Sequence, residues 1–439
     1  MNQLAVELNK TLEGTAAEQL LSDLGRRIYF PKGIIAQSAE AKKSAHRANA
    51  TIGMACSGGK PLRLRVFAEQ FPSFTENESV AYAPTAGVEK LRYLWQEQIL
   101  RKNPALAEAD ISLPVIVPGL TAGISYTADL FLDAGQTILA GVPCWDNYSL
   151  IFEERRGAAL KGIHFVNEGD TSVNAGGTSS GCIDLAAIEK AVNEEAAGGL
   201  VRLIINFPNN PTGYSPGVDE AAAISSILER AAKNGVKILV LCDDAYFGLF
   251  YEEATFKESL FGKLANLHRN ILAVKIDGPT KEDYVWGLRL AAVTFGCKGM
   301  NEACYEALIK KMMGLVRSSV SCANTPSQYA FIKAHDNAGI EDEKRAYFEM
   351  LKERYLLVKK FIAQNKAPAF LKPLPFNSGY FMSFKTIGVS AEAIRRALLA
   401  EYGIGAIALG ADYLRVAFAS LETSQIEEVY GKLYALTPL

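Results

Sequence analysis

Three short polar segments, each following a run of apolar residues, carry side chains that could do chemistry. Leu203 to Phe207 is followed by Pro208-Asn209-Asn210-Pro211-Thr212-Gly213, and Ile238 to Cys242 by Asp243-Asp244-Ala245-Tyr246. Ile271 to Ile276 is followed by Asp277-Gly278-Pro279-Thr280-Lys281, with Arg289 eight residues beyond the lysine. Singly, each has an ordinary structural reading: NNPTG is a sound turn and helix start, Asp243 could be a cap, and Lys281 could be a solvated loop lysine. Jointly they offer an amine that can condense with an aldehyde, a carboxylate that can pair with a protonated ring nitrogen, and donors for a ring oxygen and a phosphate. That combination is what a pyridoxal phosphate site needs.

The elements that must position these groups are short strands. Val115 to Val117, Thr137 to Gly141, Leu203 to Phe207, Ile238 to Cys242, Ile271 to Ile276 and Ala292 to Phe295 are apolar runs. Between two of them Ile224, Ile227, Leu228 and Ala231 recur at helical spacing. Strand and helix in alternation imply an α/β fold with a mostly parallel mixed sheet covered on both faces, and such sheets bind ligands at the carboxyl ends of their strands. The flanks differ. Residues 1–75 and 335–439 carry amphipathic helices, clearest from Glu341 to Gln364, and a few strands such as Gly379 to Phe384. A large central domain over 76–334, with a smaller α+β domain built from both chain ends, accounts for this pattern. Asn167 to Gly181, rich in Gly, Ser, Thr and Asn, reads as a surface loop.

Composition narrows the partners. Lys+Arg 46 against Asp+Glu 48 gives a net charge of -2, so charge implies neither nucleic acid nor anionic membrane. No uninterrupted apolar stretch of about 20 residues spans a bilayer, and no secretory signal opens the chain. Cys56, Cys144, Cys182, Cys242, Cys297, Cys304 and Cys322 are scattered without a Cys-x-x-Cys pair, and the four histidines lie far apart, which favours reduced thiols in the cytoplasm and leaves no metal site.

From about Gly53 to Ser420 the chain resembles the class I/II aminotransferases of pyridoxal phosphate fold type I, most closely their aspartate and aromatic branch. The anchors are Tyr82-Ala83-Pro84-Thr85-Ala86-Gly87, Pro143-Cys144-Trp145-Asp146-Asn147-Tyr148, Asn209 to Gly213, Asp243 to Tyr246, Lys281 with Arg289, and Leu414-Arg415-Val416. The resemblance implies that Lys281 is the Schiff-base lysine and the general acid/base, with Lys275 a structural rival. It implies that Asp243 pairs with the pyridinium nitrogen, that Asn210 and Tyr246 bond the ring oxygen, and that Trp145 stacks on the ring. Gly119, Leu120, Thr121, Thr280 and Arg289 would receive the phosphate, joined by Tyr82 from a neighbouring subunit in a homodimer with shared sites. Arg415 would hold the substrate α-carboxylate near Gly53. Arg317, reaching in from the partner subunit, is the candidate for a second substrate carboxylate; without it the pocket would favour aromatic or apolar side chains, and Tyr148 and Tyr380 could then matter. The chain departs from many relatives at Gly278, where they carry serine, and at Leu120, where they often carry a small residue.

The reading is therefore an aminotransferase exchanging an amino group between an L-amino acid, aspartate/glutamate or aromatic, and a 2-oxo acid in alternating half reactions. A C–S β-lyase or decarboxylase shares the fold and cofactor residues. A nicotinamide-dependent dehydrogenase would need a Gly-x-Gly-x-x-Gly run that is absent, and a non-catalytic regulator would need a DNA-binding module for which the chain has no room.

Overall fold

The structure is a computed structural model and describes residues 1–12, 21, 26–27, 33–166 and 182–437. The expected loop from Asn167 to Gly181 lies outside the described residues. Among those described, a large sheet is built from β1 (Val115–Val117), β2 (Thr137–Val142), β3 (Ala159–His164), β4 (Leu200–Asn206), β5 (Lys237–Asp243), β6 (Ile271–Asp277) and β7 (Ala291–Gly296). Their spatial order is β1-β7-β6-β5-β4-β2-β3, with β2 to β6 running parallel and β7 antiparallel to both its neighbours. The central strands are continuous apolar runs because helices cover both faces. β1 and β7 are buried at every position, and β5 at all but its first residue.

β3 has no counterpart among the strands expected from sequence. It is the edge strand, and only Ile163 of Ala159–His164 is buried, so no apolar run marks it. The expected strand from Gly379 to Phe384 is shifted: regular pairing begins at Met382, after Gly379 turns through φ +70.

A second sheet orders β8 (Leu371–Pro373), β9 (Met382–Thr386), β11 (Tyr413–Val416) and β10 (Ile407–Leu409), all antiparallel. Ala48 and Asn49 pair in parallel with Ile404 and Gly405, joining a segment from the front of the chain to one near its end. The helix Ile340–Gln364 packs beside this region. It opens with Glu341, Asp342 and Glu343, which suit a helix N-terminus, and it buries Leu351, Tyr355, Val358 and Phe361 at helical spacing. No helix among the described residues is long and apolar enough to cross a membrane.

Register places the chemistry. Asn206 ends β4 opposite Asp243, and Asp243 ends β5 opposite Ile276, so the segments that follow emerge along one sheet edge. The first is pinned by Gly213, which has φ +77; its carbonyl accepts from the Asn377 and Ser378 amides at 2.9 Å each. A Cβ there would lie 2.0 Å from the Phe381 carbonyl oxygen, whereas at Gly235, φ +91, it would meet nothing. Gly213→Ala is expected to cost about 3 kcal/mol, and Gly235→Ala about 1 kcal/mol. Thermal and urea unfolding of the two variants check this; equal losses would show that the approach to Phe381 does not fix the turn.

Candidate active site

A cavity of about 280 Å³ opens at this edge. Asp243 sits at its foot, 3% exposed, and accepts from the Tyr148 hydroxyl at 2.5 Å and the Ala245 amide at 3.2 Å. Burial pushes the Asp243 carboxyl up, while the bond from Tyr148 and the nearby Lys281 ammonium hold it down. Asp244, next in the chain, faces away, as strand alternation requires. It takes a bond from Ser259 at 2.6 Å and an ion pair from Lys275, whose side chain is fully buried and also lies 3.3 Å from Asp277. Lys275 is thereby held by Asp244 and Asp277, and it is not among the residues lining the cavity.

Lys281 stands on the single turn Pro279–Glu282 that follows β6. Its Nζ lies 4.8 Å above the Tyr246 ring, and the Tyr380 hydroxyl donates to its carbonyl at 2.9 Å. Burial pushes the amine down to about 8; Asp243 opposes that shift and Arg289 adds to it. Burial also pushes the Tyr246 phenol up, so it stays a neutral O–H donor near pH 7.

At another wall, Gly119 has φ +93 and precedes the helix Leu120–Phe131. A Cβ on Gly119 would come 2.4 Å from the Arg289 Nη2, so glycine lets the guanidinium lie against the start of that helix. Oriented amides and a forked cation together form an anion seat. Gly278 also has a physical reason. A Cβ there would stand 2.7 Å from the Leu290 carbonyl oxygen and 3.1 Å from the Ala291 Cα, leaving no room for a serine.

Arg415, on β11, reaches the cavity from the second sheet. It is 2% exposed, with Nη1 donating to the Asn210 Oδ1 at 2.9 Å, Nη2 to the Thr51 carbonyl at 3.2 Å, and its guanidinium 4.2 Å from the Phe381 ring centroid. The Asn210 amide donates to the Asn206 Oδ1 at 2.7 Å, and the Asn206 Nδ2 donates to the Asp243 carbonyl at 2.8 Å. One asparagine thus ties two strand ends together.

Of the residues expected from sequence, Lys281, Asp243, Asn210, Tyr246, Arg289 and Arg415 line this cavity. So do Gly53, Leu120, Thr121, Trp145 and Thr280. Two do not. Tyr82 is 91% exposed, and Arg317 is exposed on the helix Glu302–Ser319. Tyr148, considered for the substrate side, binds Asp243 instead. Sequence reasoning missed Ile34, Asn206, Trp286 and Phe381 on the lining. Asn206 carried a signal, as the last residue of a strand whose neighbour ends in Asp243; Ile34 carried none.

The lining suits an anionic, phosphorylated cofactor. Three cations, Lys281, Arg289 and Arg415, surround the single carboxylate of Asp243 on the lining. Thr280 Oγ1, Trp286 Nε1 and Arg415 Nε are buried without a hydrogen-bond partner among the described residues, and all three residues line the cavity. Each such orphan costs about 1–3 kcal/mol unless an acceptor arrives, and phosphate and carboxylate oxygens are acceptors.

Comparison with known proteins agrees with this geometry. The family model described as aminotransferase class I and II matches residues 56–433. The aspartate/prephenate aminotransferase of Thermus thermophilus is 23% identical over 350 residues, 79% of this chain and 80% of that protein. The aspartate aminotransferase of Thermococcus kodakarensis is 26% identical over 303 residues, 69% of this chain and 68% of that one. An aminotransferase crystal structure from Anaerococcus prevotii superposes with TM-score 0.80 at 22% identity, covering 93% of this chain and 98% of that one. The Pyrococcus horikoshii kynurenine aminotransferase, solved with PMP, superposes with TM-score 0.77 at 14% identity, covering 96% and 97%. The match over most of the chain settles the family: this protein is a class I and II aminotransferase of fold type I, dependent on pyridoxal phosphate.

Proposed function

We propose that Lys281 is the group that moves the proton in this aminotransferase, with Asp243, Asn210, Tyr246, Arg289 and Arg415 holding cofactor and substrate around it. The observation that carries the reading is the Lys281 amine, lowered to about 8 above the Tyr246 ring and facing a buried carboxylate. Pyridoxal phosphate, when bound, supplies an aldehyde for the substrate amine and a ring that accepts electron density from Cα. Asp243 keeps a proton on the ring nitrogen. Because the Asn210 Oδ1 is taken by Arg415, its Nδ2 is the end left to donate to the ring oxygen, alongside the Tyr246 hydroxyl. Arg289, Thr280 and the amides after Gly119 hold the phosphate, and Trp145 packs on the ring. Arg415 fixes the α-carboxylate by its fork, and Lys281 takes the proton from Cα and would deliver it to the carbon that the cofactor aldehyde supplies.

Ile34, Trp145 and Phe381 line the cavity, which favours aromatic or apolar amino donors. Aspartate is the second reading, favoured by the names of the relatives from Thermus and Thermococcus; it needs a cation from a partner. The exposure of Tyr82 fits a homodimer in which this phenol completes the neighbour's phosphate seat. Residues 1–75 and 335–439 then form one smaller domain beside 76–334, in a cytoplasmic enzyme.

Lys281→Ala is expected to retain cofactor without a covalent link and to lose at least about 10²–10⁴-fold in kcat. Arg415→Lys is expected to lose about 2 kcal/mol, roughly 30-fold, in kcat/KM. Steady-state assays with L-tyrosine, L-phenylalanine, L-aspartate and L-glutamate read both variants, and substantial turnover by Lys281→Ala moves the proton carrier elsewhere. The lowered amine has a stability signature in the cofactor-free protein. Between about 8 and the ordinary 10.5 the unfolded chain binds a proton that the folded chain does not, so stability rises with pH across that window. Lys281→Met lacks this proton, so its stability advantage over the wild type is largest below pH 8 and shrinks as pH rises towards 10. Paired thermal unfolding curves check this, and a constant difference contradicts it.

A further inference from the structure

We propose that the helix Ile340–Gln364 is a strut that fixes the separation of Lys281 and Arg415, with Lys344 as the positioning residue at its near end. The inference rests on the roles proposed for those two residues. Lys344 Nζ lies 2.6 Å from the Asp283 Oδ1 and 3.6 Å from the Glu282 Oε1, the two carboxylates that directly follow Lys281. The same Glu282 Oε1 is held by Lys102 at 2.7 Å, and a Cβ on Gly248 would come 2.9 Å from it. His335 stands 3.7 Å from Asp283 and is kept neutral by burial, so the cluster balances two carboxylates against two ammonium groups.

The middle of the helix is tied to the chain just after Arg415. Arg354 Nη1 donates to the Ala419 carbonyl at 2.7 Å, and Nη2 lies 3.6 Å from the Glu422 carboxylate. Lys344 and Arg354 are ten residues apart, about 15 Å along a rigid helix. Leu351 is buried between them, and Tyr355 and Val358 bury the turns that follow Arg354.

Buried ion pairs seldom stabilise a fold more than apolar residues of the same shape, so a balanced cluster placed directly behind Lys281 is better explained by position than by stability. A substrate anchored by its carboxylate at Arg415 presents Cα to Lys281 only if that separation is held. A misplacement of about 1 Å costs about 100-fold.

The test compares the wild-type holoenzyme with Lys344→Met, Lys344→Arg and the charge-balanced pair Asp283→Asn with Lys344→Met, reading kcat, KM, cofactor content and thermal midpoint. Lys344→Met is expected to lower kcat about 10- to 100-fold with KM within about threefold and cofactor content unchanged. Lys344→Arg is expected to recover most of the rate. The double variant is expected to regain thermal stability yet stay slow. Wild-type kcat in Lys344→Met, a change confined to KM, or restored kcat in the double variant overturns the proposal. Unimpaired turnover by Lys281→Ala would instead overturn the assignment beneath it, so the two failures are distinguishable.

Discussion

A carboxylate that has almost no contact with water is pushed towards its neutral form, and at Asp243 the cleft sets three groups against that push. The compensation comes from three directions: the Tyr148 hydroxyl, the Ala245 amide and the Lys281 ammonium. Each depends on a separate piece of the fold. Tyr148 follows β2, Ala245 continues β5, and Lys281 follows β6. Because these strands run parallel and end at one edge, the register of the sheet decides whether the carboxylate is satisfied.

The same charge shapes the lysine. Asp243 pulls the Lys281 proton on, while desolvation and Arg289 push it off, and desolvation wins. An amine poised near neutrality can both release and take up a proton during turnover, which an exposed lysine could not do as readily. Three cations converging on one carboxylate leave the cleft short of negative charge, and a phosphate with a substrate carboxylate restores the balance. Arg415 makes the second sheet part of the site: its contacts to Asn210 and to the Thr51 carbonyl tie β11 to the loop after β4 and to the front of the chain.

Much of this was legible in the sequence because parallel strands buried on both faces are apolar runs, and the reactive side chains sit immediately beyond them. That is how Asn210, Asp243, Tyr246 and Lys281 could be named together before any contact was known. The edge strand Ala159–His164 was not legible, since exposure removed its apolar pattern. Nor was the partnership of Tyr148 with Asp243, 95 positions away, because a phenol does not announce its acceptor. Gly278 stands where many relatives carry serine. The structure shows it as a packing requirement, set by the Leu290 carbonyl of the neighbouring strand. Arg317 lies on the exposed side of the helix Glu302–Ser319, outside its own chain's cavity, as a residue expected to act from a partner subunit would.

The central claim is that this cleft transfers an amino group through Lys281 and the cofactor it holds. The most direct measurement is a single half reaction: cofactor-loaded protein mixed with one L-amino acid in the absence of any oxo acid, with absorbance and released oxo acid followed together. The account predicts that the absorbance of the lysine-linked cofactor disappears as one equivalent of 2-oxo acid per subunit is released, and that adding a second oxo acid restores it. Continued release of pyruvate and ammonia, or of carbon dioxide, with the lysine-linked absorbance unchanged would contradict it.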